Sequence, residues 1–143
     1  MKLITQEIRA RLLANARDRG PDHAPVLKLF TPWAGATWLI TEMDPEDQDR
    51  LFGLCDLGQG FPELGYLSLA EIASVRGPGG LKIERDLHFS AWASLGAYAE
   101  AARQKQGITE SRIELRCAFI RLEARAREER EKLRAWIETE GAA

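Results

Sequence analysis

Three short apolar segments between residues 26 and 57 place the strongest constraint on how this chain can fold. They are rich in the aromatic, β-branched and other apolar residues that suit a pleated sheet. The turns between them, marked by Pro32 and Pro45, are too short to contain a crossover helix. The spacing therefore predicts an antiparallel meander of three strands.

Successive side chains of a strand point to opposite faces of the sheet, so the sequence of two of the predicted strands assigns each of their residues to a face. In the second segment, one face receives Trp38, Ile40 and Glu42, and the other receives Thr37, Leu39, Thr41 and Met43. A further half-buried strand is predicted over residues 81–89, with Leu81, Ile83, Leu87 and Phe89 inward and Lys82, Glu84, Asp86 and His88 outward. Arg85 falls on the apolar face, so we expect it to form a structural ion pair with a carboxylate.

Helical patterns flank these strands. Thr5 is a suitable N-cap for an N-terminal helix, and the spacing of Ser68 and Glu71 is that of a capping box before a short helix. After Ala91 the pattern predicts one helix that ends near Gly107 and a second that begins at Thr109. The expected fold is α+β: an antiparallel sheet of four or five strands packed with an N-terminal helix and a short helix, plus a C-terminal helical hairpin.

The predicted organisation is an α+β core domain over residues 1–90 and a helical extension over residues 91–143. The extension either belongs to the same compact unit or projects as an arm. Its last helix has a seam at alternating spacings of four and three, which favours a homodimer or a partner-binding arm as strongly as a helix folded back on its own domain. The seam residues are Leu115, Phe119, Leu122, Ala126, Leu133 and Trp136, interrupted by Glu129.

Charge and cysteine content exclude several function classes. The net charge of −2 argues against general nucleic-acid binding, which favours a basic excess. The two cysteines lack metal-ligand spacing, so reduced thiols and no cofactor are expected. The N-terminus does not resemble a secretory signal and no apolar run is long enough to span a membrane, so the expected location is cytoplasmic.

Two groups of residues are candidates for function. Glu84, Asp86 and His88 share one predicted strand face, where they could hold a divalent metal ion or supply a general base. A solvated strand face explains the same pattern, so no catalytic residue is assigned. The second group comprises residues that we expect to contact a protein partner, namely Trp33 in a turn and the acidic Glu42, Asp44, Glu46 and Asp47.

The order of several short motifs resembles domain of unknown function 2958, a family met in bacterial chromosomes, plasmids and phages. The resemblance covers about residues 1–90. Its motifs are Phe30–Trp33, Thr41–Glu42, Asp44–Pro45, Leu51–Gly53, Pro62–Tyr66, Ser68–Leu69, Glu71, Arg76–Gly77, Glu84–Asp86 and Phe89. It implies a compact domain in a mobile-element setting and no agreed activity. It also makes Glu63, Glu84, Arg85 and Asp86 preferred site positions, and Glu63 joins the expected partner-binding residues.

Three functional hypotheses follow. The leading one is a non-enzymatic interaction module, an accessory or anti-defence protein of a mobile element that binds a host or element-encoded protein. The alternative is a metal-dependent hydrolase or nuclease that uses Glu84, Asp86 and His88. The third is single-stranded nucleic-acid binding through the aromatic residues around Trp33 and the basic N-terminal helix.

Overall fold

A five-stranded antiparallel sheet forms the centre of the computed structural model, which describes residues 1–141. The strand order is β4-β3-β2-β1-β5. The strands are β1 (Leu27–Phe30), β2 (Thr37–Met43), β3 (Arg50–Asp56), β4 (Glu63–Ser68) and β5 (Glu84–Arg85). The helices are α1 (Gln6–Arg17), α2 (Leu69–Ser74), α3 (Leu95–Lys105) and α4 (Arg112–Trp136), and α4 continues as a π-helical turn over Ile137–Gly141. The predicted α+β class and C-terminal helical hairpin are confirmed.

Helices cover both faces of the sheet, because the central strand β2 is apolar on both sides. On the first face α1 and α2 pack over a core that contains Leu12, Leu27, Leu29, Trp38, Ile40, Met43, Leu51 and Ile72. On the second face α3 and the start of α4 pack over Leu39 and Leu54, together with Tyr98, Ala102, Leu115 and Ala118. Burying two faces removes far more apolar surface from water than one face would.

The predicted alternation along β2 is wrong beyond Ile40, because a β-bulge lies at Thr41. Ile40 pairs with Gly53 and Glu42 pairs with Phe52, so Thr41 has no opposite residue. The extra residue reverses the faces after it, which moves Met43 into the first core and Glu42 to the second face. The side chain of Asn15 on α1 donates to the freed carbonyl of Thr41 at 2.9 Å, so the bulge is held by the helix that covers it.

The strand predicted over residues 81–89 is much shorter than expected. Only Glu84 and Arg85 pair with β1, opposite Phe30 and Leu29. The chain then turns at Asp86, whose carboxylate accepts from the backbone N–H of His88 at 2.9 Å. Ile83 is buried as predicted, whereas Leu81 and Leu87 are exposed.

A buried carboxylate joins the two C-terminal helices. Glu100 on α3 is only 3% exposed and forms ion pairs with Arg103 on its own helix and with Arg121 and Arg125 on α4. Burial by itself raises the pKa of Glu100, but the three guanidinium groups outweigh it and lower the pKa to about 2. The cluster therefore fixes the angle at which α4 leaves the domain.

The distal part of α4 projects from the domain. Leu115 and Ala118 are buried against α3 and the sheet, whereas every residue from Arg127 to Gly141 is exposed. Among residues 1–141, no helix has the combination of length and apolarity that crossing a membrane requires.

We expect Gly53→Ala to destabilise the protein by about 2–3 kcal/mol, because an added methyl group would meet the backbone of β2. A Cβ atom at this position would lie 2.9 Å from the Cα atom of Ile40 and closer still to the carbonyl oxygen of Leu39. Gly65, which pairs with Gly53, is the matched control, because a Cβ there has no neighbour within 4 Å. Urea denaturation should show a change of less than about 0.5 kcal/mol for Gly65→Ala. Equal effects of the two substitutions would contradict the close approach.

We expect Glu100→Gln to lower the free energy of unfolding by about 2–3 kcal/mol at pH 7, because it leaves three arginines without a carboxylate. A lowered pKa stabilises the fold above the unfolded value of about 4.5, and this contribution is lost as the pH falls toward about 2. The gap between wild type and variant should therefore narrow over that range in urea titrations. Glu128→Gln is the control, because its pair with Lys132 is exposed and should contribute less than about 0.5 kcal/mol. A gap that stays constant with pH would rule out the charge of Glu100 as its cause.

Candidate functional site

Glu84, Asp86 and His88 line one open depression of about 530 Å³ at the β1–β5 side of the sheet. The Nζ atom of Lys28 lies 3.3 Å from Asp86 and 2.7 Å from Glu110. Burial raises the pKa of Asp86, but the hydrogen bonds from His88 N–H and Lys28 outweigh it and leave the pKa below its usual value. The Asp86 carboxylate, which a metal ion would need as a ligand, is therefore already bound by Lys28 and by the backbone N–H of His88. Within residues 1–141, no three His, Cys, Asp or Glu side chains converge as metal ligands.

Arg85 has a backbone partner where a carboxylate was predicted. Its Nη1 donates to the carbonyl oxygen of Leu3 at 3.3 Å, and no ion pair of Arg85 is present in the described part of the chain. The reason is that the segment before α1 passes beside β5 and supplies an acceptor there. The expected structural ion pair of Arg85 is therefore replaced by a neutral hydrogen bond.

The acidic residues between β2 and β3 build their own loop. Asp44 accepts from the backbone N–H of Glu46 at 2.9 Å, and Asp47 accepts from that of Asp49 at 3.2 Å. Asp49 accepts from the Ser68 hydroxyl at 2.6 Å and from the Ala70 N–H at 2.7 Å. These two hydrogen bonds lower the pKa of Asp49 and tie the loop to the end of β4 and the start of α2.

Trp33 is half-buried rather than free for stacking. Its indole packs over Gly77, where an added Cβ would fall on the ring. Because the ring occupies this space, only glycine fits at position 77. The Trp33 side chain also packs against the first core. Among the other residues expected to bind a partner, Glu42 is half-buried on the second face of the sheet and Glu63 is exposed at the start of β4.

The strand β4 carries an exposed surface that the sequence pattern did not predict. Leu64 and Tyr66 lie on the second face, opposite Leu54 and Phe52 of β3, but the helices do not cover them. Their exposed fractions are 48% and 64%, and Phe61 just before the strand is 79% exposed. We call Phe61, Leu64 and Tyr66, with the outer edge of β4, the β4 surface. Its only signal in the sequence is the alternation of Leu64 and Tyr66. Pro62 and Gly65 are more typical of a turn, so this alternation does not stand out as a strand.

Aromatic contacts hold the β4 surface in place. The rings of Tyr66 and Phe52 are 5.1 Å apart in an edge-to-face arrangement. The guanidinium of Arg50 lies 3.9 Å from the centre of the Tyr66 ring. Such contacts favour a single orientation of the Tyr66 ring at the centre of this surface.

Acidic side chains surround the β4 surface. Asp47, Asp49 and Glu71 lie beside Tyr66 in one shallow groove, and Glu42 and Asp44 lie in a second groove with Arg50 and Arg19. Glu63 lies at the opposite end of the strand. Glu42, Asp44, Asp47 and Glu63 thus form a rim around an apolar surface rather than a site of their own, whereas Glu46 lines neither groove.

We expect Asp49→Ala to lower the midpoint of urea unfolding, because it leaves the Ser68 hydroxyl and the Ala70 N–H without their acceptor. Glu46→Ala is the control in the same loop, since the Glu46 side chain is exposed and accepts no hydrogen bond in the described residues. Amide hydrogen exchange should show faster opening of α2 in Asp49→Ala alone. Similar midpoints for the two variants would contradict the anchoring role of Asp49.

Comparison with known families places the fold in context. The sequence model of the family described as "Protein of unknown function (DUF2958)" matches residues 3–109, from the segment before α1 into the α3–α4 loop. No curated protein and no solved structure matches the chain. The matched region contains all five strands and the whole β4 surface, whereas α4 lies beyond it. Because the match covers well over half of its length, the chain belongs to the DUF2958 family.

Proposed function

We propose that this protein is a non-enzymatic interaction module that binds an extended segment of a partner protein along β4. The observation that carries the proposal is the combination, in one strand, of an unpaired edge and an exposed apolar face. β4 ends the sheet order, and no strand of residues 1–141 pairs with its outer edge. Its backbone groups are therefore available to a partner segment in the β conformation, which would form a sixth strand.

An exposed edge strand of this kind promotes aggregation unless it is protected or pairs with a binding partner. Proteins protect such edges with prolines, lysines, bulges or a covering helix. The six residues of β4 contain neither a proline nor a lysine, and Leu64 and Tyr66 remain about half exposed or more. A partner strand would pair the free backbone groups and cover both side chains at once.

The rim determines the chemistry of the partner. Acidic groups outnumber basic groups around the β4 surface, and Arg50 is engaged with Tyr66. A segment with apolar residues facing Leu64 and Tyr66 and basic residues facing the rim would match both features. A host or element-encoded protein with such a segment is the partner that the family's mobile-element setting suggests.

Neither alternative function receives comparable support. The metal-dependent hydrolase needs the Asp86 carboxylate, which is bound to Lys28. The nucleic-acid hypothesis needs a free Trp33, which packs on Gly77.

We expect a random peptide library panned on the immobilised full chain to yield peptides that alternate apolar and basic residues. The double variant Leu64→Lys/Tyr66→Lys should weaken their binding at least about tenfold, because it removes the apolar contacts and repels basic residues. Fluorescence anisotropy of a labelled peptide measures the affinity. Hydrogen exchange should show slower exchange of the amides of residues 63–68 in the complex.

The matched control is Leu81→Lys/Leu87→Lys, which adds the same charge at exposed leucines outside β4 and should leave peptide binding unchanged. Circular dichroism verifies that both double variants are folded. Peptides that bind the β4 variant and the wild type equally, or that protect amides elsewhere, would contradict the proposal.

A further inference from the structure

Large apolar side chains are exposed to solvent on the projecting end of α4. Leu133, Trp136 and Ile137 are 57%, 53% and 49% exposed, and they follow one another at helical spacing. Charged residues surround them, so this end of the helix combines an apolar stripe with a polar face. A stripe of this kind buries itself most readily against a second helix.

The charge of α4 changes sign along its length. Residues 112–127 contain five basic and two acidic residues, whereas residues 128–141 contain three basic and five acidic ones. Glu138 and Glu140 lie at the C-terminal end, where the helix dipole disfavours negative charge. Two such helices side by side attract each other only when they run in opposite directions.

The start of α4 offers a complementary cavity. It has a volume of about 450 Å³ and is lined by Trp92, Leu115 and Phe119 together with Arg112 and Arg116. The guanidinium of Arg112 lies 3.2 Å from the centre of the Trp92 ring, and neither arginine forms an ion pair in the described part of the chain. The cavity is thus apolar with two unneutralised positive charges at its rim.

We propose that two copies of this chain pair through antiparallel α4 helices, so that the acidic, apolar end of each helix occupies the cavity at the start of the other. An antiparallel register centred between residues 127 and 128 places Phe119 opposite Trp136 and Leu122 opposite Leu133. Glu138 and Glu140 then reach the neighbourhood of Arg112 and Arg116 in the second copy. Each contact occurs twice, as two-fold symmetry requires.

The centre of this register explains two residues that a continuous apolar seam would not contain. Ala126 and Glu129 oppose each other there, and the small alanine lets the two backbones approach. The carboxylate of Glu129 extends past the alanine to solvent. Phe119 and Trp136 are 17 positions apart, or about 25 Å of helix, so the two cavities lie well apart. The β4 surface takes no part in this pairing.

Sedimentation velocity of the full chain between about 1 and 100 μM at low salt tests the pairing by measuring whether the 16.0 kDa chain dimerises. We expect a reversible dimer that weakens with added salt. Arg112→Glu/Arg116→Glu and Glu138→Arg/Glu140→Arg should each raise the dissociation constant at least about tenfold, because like charges then face each other. An equimolar mixture of the two variants should dimerise again, since each cavity then faces an oppositely charged helix end.

Arg11→Glu/Arg17→Glu on the exposed side of α1 makes the same charge change as the cavity variant and should dimerise as the wild type does. Circular dichroism confirms that all variants are folded. A monomer at every concentration, a dimer that ignores both charge reversals, or a mixture that fails to dimerise would overturn the proposal. A parallel pairing sets like charges side by side in the wild type and in each variant, so it would ignore both charge reversals. An acidic helix of another protein as the true occupant would leave the wild type monomeric.

Discussion

The close approach of β2 and β3 at Gly53 is the contact on which the rest of the structure depends. A side chain at position 53 would meet the backbone of Leu39 and Ile40, just before the bulge at Thr41, and the bulge reverses the faces of the last residues of β2. Met43 therefore joins the core beneath α1, while Leu39 stays in the core beneath α3. Asn15 pairs with the freed carbonyl, so the position of α1 and the register of the sheet support each other.

Local patterns in the sequence were enough to predict the meander and the helices, because alternation and capping are short-range signals. The bulge could not be predicted in the same way, since it arises from the pairing of β2 with β3, which are separate segments of the sequence. β4 was hidden because Pro62 and Gly65 favour a turn until β3 and Asp49 provide partners. The partner of Arg85 was missed because it is the carbonyl of Leu3, 82 positions away.

The match to the family ends just before α4, although α4 is tied firmly to the matched region. Glu100 lies inside the match, and two of its three arginine partners, Arg121 and Arg125, lie outside it. A buried carboxylate without these arginines would lose most of the hydrogen bonds that offset its burial. The glutamate and the helix therefore function as one unit, and a relative without α4 would need a different residue at position 100.

The two edges of the sheet are very unequal, and this limits how large an assembly the sheet can form. β4 offers six residues to a further strand, whereas β5 has two and is followed at once by the turn at Asp86. Head-to-tail stacking of sheets requires two long, matching edges, and this molecule has only one. A strand that adds at β4 would therefore end the growth, and in the proposed binding mode one copy of the chain would take one partner segment.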